Sequence, residues 1–437
     1  MTGANYLLES GGTKILIDCG LHQGSNFAER QNFEPFPYDP KSIDAVFVTH
    51  AHIDHTGLIP KLVKAGFQGR VYSTPPTKGF AEFLLLDSES LLAREAERER
   101  KPLLYSVEDL KETMARWETV HYHDPLVVGP FRIELLDAGH ILGSAIVKIE
   151  AENRTIVFSG DLGNYPPPII RTTEFLQKAD FCVIESTYGD RTHEHVDRRR
   201  EFLEDAVEDT VKAGGTLLIP AFAMERTQEL LYYLNELIEQ GRIPRVPIFI
   251  DSPLAIKLTA VYKKYENYFN QETKNLVKSG DDILNFPGLR LTLRTEQSKE
   301  INRVPPPKVV IAGSGMSHGG RILWHEMRYL PDPKSMIIFV GYQAMGSLGR
   351  QILDGAREVK IFGEAIPVKC RMRVMSAYSA HADQPKLLRW LLSMRDTLRR
   401  VFVVQGDPPA CDALVQKIKD ELALHALSPE RGESVVL

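Results

Sequence analysis

The apolar run DAVFVT (residues 44 to 49) leads directly into HAHIDH (50 to 55), and this junction of a strand with a crowded polar loop constrains the chain more than any other feature. Short runs rich in valine and aromatic residues favour extended backbone. The loop then sets three imidazoles and one carboxylate within six residues at the strand's carboxyl end, where a turning backbone can aim several donors at one point. A divalent metal is the natural occupant of such a point, but it needs more ligands than one loop supplies. Later strand ends offer His140 in DAGHILGS and Asp161 in FSGDLG, each beside glycine, which lets backbone approach a crowded site. Asp18, in LIDCG, is one more carboxylate at a strand end.

Around these positions the first 190 residues alternate apolar runs with turns. KILIDCG, RVYST, FRIELLDAGH and FCVIEST read as strands, and SAIVKIE with RTIVFSG reads as a hairpin. Residues 77 to 118 are charged and helix-prone, with Pro102 separating two solvated helices. From about residue 192 the rhythm becomes strand and helix in alternation (GTLLIP, VPIFID, KVVIAG and SMIIFVG as strands), the pattern of a parallel sheet with its own core. After about residue 370 a strand, a helix and the strand RVFVV are expected to return to the first domain.

Composition narrows the class without naming the chemistry. The 437 residues give room for two or three domains, and 43% hydrophobic with 25% charged residues is an ordinary globular balance. A net charge of -5 argues against coating nucleic acid by bulk positive charge, although bound divalent ions reverse the sign locally. Cys19, Cys182, Cys370 and Cys411 are widely spaced, which fits reduced thiols and a cytoplasmic location. No apolar run approaches a membrane span, and MTGANYLLES does not read as a secretion signal.

In their order along the chain, Asp18, HAHIDH, His140 and Asp161 resemble the metallo-β-lactamase superfamily. The resemblance implies that His50, His52 and His140 hold one zinc, that Asp54 and His55 hold a second, that Asp161 bridges the two, and that Asp18 orients the loop from behind. IESTYGDR, PAFAMERTQEL, FIDSP, AGSGMSHGGR and SAHAD are similar to the β-CASP nucleases, which extends the likeness to nearly the whole chain. The implied fold is α/β: a metallo-β-lactamase αββα sandwich (1–191 and, on return, 371–437) with an inserted parallel-sheet β-CASP domain (192–370). Glu185 and His381 join Asp54 as catalytic candidates, with the His381 imidazole placed to protonate a departing 3'-oxygen. Ser314 and Gly315 in the glycine-rich turn, Arg226 at a helix start and Ser379 in SAHAD are the candidates for holding substrate. The turn also reads as a plain strand-to-helix connection, and Arg226 as the partner of an acidic neighbour.

The implied activity is a zinc-dependent ribonuclease, an endonuclease that could also act as a 5'-to-3' exonuclease, with RNA as substrate and room for a homodimer. A DNA nuclease, a small phosphodiester or thioester hydrolase, and a non-catalytic RNA-binding subunit are the competing readings. Departures from the family pattern bear on these. The family normally carries one more strand before the segment TGANYLL, so either an edge strand is expected to be absent or the start site is internal. Ribonuclease J carries a histidine where this chain has Ala377, which turns the likeness toward the polyadenylation-factor endonucleases and their prokaryotic relatives. Most telling, the position of a metal-ligating histidine is Gln405, and an amide is a poor zinc ligand beside an imidazole, so the second zinc should be weaker.

Overall fold

The alternation of β-branched runs with capped helices is realised in a computed structural model that describes residues 3–23, 26–193, 198–341, 343, 346–375 and 378–437; Ala377 lies outside these. The chain forms two compact units. One comprises Met1–Pro167, Arg171–Thr192 and His381–Leu437, the other Pro168–Ile170 and His193–Ala380.

In the first unit, β1 (Tyr6–Ser10), β2 (Thr13–Ile17), β3 (Ala45–Phe47), β4 (Arg70–Ser73) and β5 (Trp117–Thr119) form one sheet in that order, antiparallel between β1 and β2 and parallel beyond. A second sheet starts with β6 (Leu126–Val128), β7 (Phe131–Asp137), β8 (Ala145–Ala151) and β9 (Arg154–Phe158), all antiparallel, and continues into β10 (Phe181–Glu185), parallel to β9. The expected hairpin is β8 with β9; Glu152 and Asn153 at its tip both have positive φ, which matches the right-handed strand twist. Along β7 buried residues alternate with more exposed ones, the mark of a sheet with one face on a core. Tyr6 of β1 and Phe158 of β9 bring the sheets together, their ring centroids 5.5 Å apart. The charged stretch forms two helices, Pro75–Glu99 and Val107–Arg116, broken around Pro102 as expected. Thr74 caps the first, and a Ser106/Asp109 capping box starts the second.

The second unit carries β11 (Thr216–Pro220), β12 (Ile248–Asp251), β13 (Leu289–Leu291), β14 (Lys308–Ala312), β15 (Met336–Phe339), a hairpin of β16 (Glu358–Ile361) with β17 (Glu364–Pro367), and β18 (Arg371–Val374). Its sheet is wholly parallel in the order β13-β12-β14-β11-β15-β18, and β11, β14 and β15 are buried throughout, as strands covered on both faces must be.

One expectation needs correcting here. The sequence places Arg371–Val374 at the opening of the return to the first unit, but it pairs with β15 as the edge of the second sheet, and the return starts at His381. There β19 (Arg400–Val404) lies beside β10, with β20 (Ala426–Leu427) outside it. Cys182, Ile184, Val401, Val403, Trp390 and Leu414 form the core behind this pair.

Candidate metal centre

The segments that follow the carboxyl ends of β2, β3, β7, β9, β10 and β19 supply most of the polar side chains of the centre. Asp18 follows β2 with φ of 60°, and its buried carboxylate accepts hydrogen bonds from Thr49 N and Thr49 Oγ1, both at 2.8 Å, with His55 Nδ1 at 2.7 Å. Burial raises the Asp18 pKa against the opposing pull of His55 and Thr49. The adjoining backbone fits only because residue 20 is glycine: a Cβ there would stand 1.6 Å from Asp54 O. That close approach lets Ala4 N bond Asp54 O (2.8 Å) and Cys19 N bond His55 O (2.9 Å), which fixes the short helix Ile53–Thr56 and the two side chains it carries.

His50, His52, His140 and Asp161 converge. His50 Nε2 and His140 Nε2 lie 3.0 and 3.3 Å from His52 Nδ1, and Asp161 Oδ2 lies 3.3 Å from His50 Nε2 and 3.7 Å from His140 Nε2. One ligand atom from each of the four falls within 4.8 Å of all the others. Burial pushes His50 and His140 well below the usual histidine range and His52 to about 4, so the rings are neutral and offer lone pairs. Lone pairs that face one another and a carboxylate in a buried space are satisfied by a shared cation, and three imidazoles with one carboxylate suit zinc. These residues fit a metal ion.

Asp161 faces a second group with its other oxygen. Oδ1 is 3.4 Å from His55 Nε2, which is 4.0 Å from Asp54 Oδ2. Gln405 Nε2 is 3.1 Å from the same His55 Nε2, so the amide stands where a fourth donor would complete the set. Burial alone would lower the His55 pKa, but Asp161 and Asp18 outweigh it and hold it well above the usual range. The two carboxylates thus favour positive charge at this point. Asp161 in turn is held well below the carboxylate range, because His55, His50 and His381 overcome its burial.

His381 enters from the return segment, placed by a bridge to Gly163 and by the bond from Ala382 N to Leu162 O (2.7 Å). Its Nδ1 is 3.2 Å from Glu185 Oε2 and 3.8 Å from Asp161 Oδ2. Glu185, fully buried at the end of β10, is fixed by Leu162 N (2.6 Å) and Thr187 N (3.3 Å). Burial works against the His381 imidazolium, yet Glu185 and Asp161 bring its pKa up to about 9. Asp161, Glu185 and His381 also come close enough together to hold an ion.

Thus Asp18, His50, His52, Asp54, His55, His140, Asp161, Glu185, His381 and Gln405 are brought into one neighbourhood. The residues expected to hold substrate lie in the second unit and are of another character. Arg226 is buried, and its guanidinium pairs with Glu229 three residues on, the ion-pair alternative rather than a phosphate contact. Ser314 Oγ accepts bonds from His318 N (3.0 Å) and Gly319 N (3.3 Å), so this hydroxyl folds its own turn. Gly315 packs under Phe222, and Ser379 is buried. Reading by residue type misses Thr49, although it precedes the HAHIDH loop directly and touches Asp18, His50 and His55 at once.

A buried nest of imidazoles sharing carboxylates at the strand ends of an α/β fold defines a metallo-hydrolase type of centre. Comparison with known proteins agrees. Residues 2–178 match the metallo-beta-lactamase superfamily, residues 227–352 the Beta-Casp domain, and residues 365–429 the Zn-dependent metallo-hydrolase RNA specificity domain. The chain is 39% identical over 438 residues to ribonuclease TTHA0252 of Thermus thermophilus, covering 100% of this chain and 95% of that protein. It is 31% identical to transcription termination factor FttA of Methanosarcina mazei (99% of this chain, 69% of the relative) and 30% identical to an RNase J-like protein of Methanocaldococcus jannaschii (96% and 93%). A crystal structure of an Enterococcus faecalis V583 protein of unknown function shares the fold with a TM-score of 0.57 at 15% identity, covering 100% of this chain and 97% of that one. The chain belongs to the β-CASP group of the metallo-β-lactamase superfamily. Among the described residues no helix is long and apolar enough to cross a membrane.

Proposed function

We propose that this chain is a zinc-dependent ribonuclease that hydrolyses RNA phosphodiester bonds in the cytoplasm, as an endonuclease with added 5'-to-3' exonuclease action. The observation that carries this reading is the convergence of His50, His52, His140 and Asp161 next to the Glu185–His381 pair. His50, His52, His140 and Asp161 would hold one zinc, and Asp54, His55 and Asp161 a second, weaker one. A metal held by these residues would supply a lowered pKa for water and positive charge against the phosphoryl oxygens. Asp18 and Thr49 hold the rings of His55 and His50 in position. Glu185 holds His381 through Nδ1, so a proton would pass from Nε2 to the departing 3'-oxygen as water adds to phosphorus and the P–O3' bond breaks, and the proton released by the water would pass to solvent, from which Nε2 is reprotonated. The relatives support RNA as the substrate, since ribonuclease TTHA0252 and the RNase J-like protein are named for it and residues 365–429 match an RNA specificity domain.

The test is incubation of purified protein with end-labelled single-stranded RNA and DNA of one sequence, with zinc and after chelation. Zinc-dependent cleavage of RNA is expected. Cleavage of DNA alone, or retention of RNA without cleavage at any metal level, would refute the reading.

A further inference from the structure

The second unit contains a crevice that the metal chemistry does not use. In its sheet β14 and β11 are neighbours, yet the chain leaves them in opposite directions. From β11 it passes through helix Arg226–Glu239 to β12 on one side, and from β14 through helix Ile322–Tyr329 to β15 on the other. Each connection crosses the other strand, since β12 lies beyond β14 and β15 beyond β11. Right-handed crossovers in opposite directions put the two on opposite faces of the sheet, so the loops at the carboxyl ends part and leave a crevice, the usual ligand position of an open α/β sheet. Here the two loops are residues 221–225 and 313–321, tied at their base by Ala221 N to Ala312 O (3.0 Å).

Phe222 stands in this crevice, a large aromatic side chain left 39% exposed. Glycine backbone supports it from beneath: a Cβ on Gly315 would come within 2.7 Å of the ring and one on Gly341 within 3.3 Å, so side chains at either position would crowd it. Its own carbonyl is fixed by Thr227 Oγ1 at 2.8 Å. Both loops hold non-glycine residues in the left-handed region, Glu225 at φ 64° and Ser317 at φ 56°, a conformation that costs free energy and gathers at ligand sites. An aromatic ring seated on glycine backbone, 39% exposed and placed at a switch point, is suited to a flat π partner.

We infer that the crevice at the carboxyl ends of β11 and β14 binds a nucleobase of single-stranded RNA, stacked on the exposed part of the Phe222 ring. This rests on the ribonuclease reading above and adds to it a base-recognising subsite. Because every base has a π face, the subsite recognises single strands without reading sequence. Duplex RNA, whose bases are stacked on each other, is excluded.

The test measures KM and kcat for a single-stranded RNA 12-mer with zinc-loaded wild type, Phe222→Ala and Phe222→Trp, with bound zinc and melting temperature checked for each. A strand of the same length made of abasic ribose-phosphate serves as competitor. Loss of one stacked base should raise KM about 5- to 100-fold in Phe222→Ala, with the loss on KM and not kcat, while Phe222→Trp restores it. In wild type the abasic strand should compete far more weakly than RNA, and in Phe222→Ala the two should compete alike. An unchanged KM in Phe222→Ala, or undiminished preference for based over abasic strand, overturns the subsite and leaves the ribonuclease reading intact. Failure of wild type to cut RNA overturns that reading and this one with it.

Discussion

Gln405 is the position at which the metal centre can be rebuilt by one substitution. Its amide lies 3.1 Å from His55 Nε2, beside Asp54 and Asp161, the three residues that would hold the second ion of the proposed centre. An ion entering here must displace the amide from His55 Nε2 and gains no nitrogen donor in exchange. Gln405→His supplies that donor. The backbone at this residue has φ of 57°, a region in which histidine is one of the better-tolerated side chains, and its carbonyl keeps the bond from Thr187 Oγ1 (3.2 Å), so the fold should accept the change. Loss of a partner that only supports a ligand costs about 10- to 100-fold in metal affinity, and a direct donor should count for at least as much. Zinc per chain is to be measured by mass spectrometry after equilibration against a graded chelator. Wild type should show one tight zinc and a second at least about 10-fold weaker; the variant should hold both through the chelator range that empties the second wild-type site. Two equally tight zincs in wild type, or no gain in the variant, would show that the amide oxygen or a water already completes the shell.

Three further outcomes are expected. His52→Ala removes the nitrogen that both His50 and His140 face, so it should lower bound zinc and abolish cleavage while circular dichroism reports an intact fold; unchanged zinc would remove His52 from the ligand set. His381→Ala should keep the tight zinc but slow cleavage by roughly 10²- to 10⁴-fold, the range for loss of a general acid, and loss of that zinc instead would make His381 a ligand. Asp251, fully buried in the second unit, would be raised by its burial but is brought down to about 2 by bonds from His325, Ser298, Thr292 and Arg321. A folded pKa below the unfolded value contributes stability above about pH 4 that is lost as pH falls through about 2. At about 1.4 kcal/mol per pKa unit, Asp251→Asn should therefore destabilise the protein by about 2 to 3 kcal/mol in urea titrations at neutral pH, and the difference should shrink toward pH 2; a gap independent of pH would contradict the assignment.

The cluster of imidazoles and carboxylates was legible in the sequence because its members are local. Four of them sit in six consecutive residues, and His140 and Asp161 each end an apolar run beside glycine, so a strand-end reading already points them at one place. Gln405 was legible for the same reason, as the first residue beyond β19. What depends on which distant strands pair was not legible. Arg371–Val374 looks like any short strand, and only the register of Met336 with Arg371 and Phe339 with Val374 puts it in the second sheet. Arg226 shows the same limit in a side chain: an arginine at a helix start suits a phosphate, but a glutamate one turn on offers a partner that needs no ligand, and burial decides for the ion pair. Phe222 lies in the motif PAFAMERTQEL, but nothing in the motif shows its exposure, which depends on two glycines, Gly315 and Gly341, that are remote along the chain and lie under its ring. Chemistry concentrated at the end of one strand can therefore be read from residue types, whereas a binding surface assembled from the ends of several strands appears only once the sheet order is known.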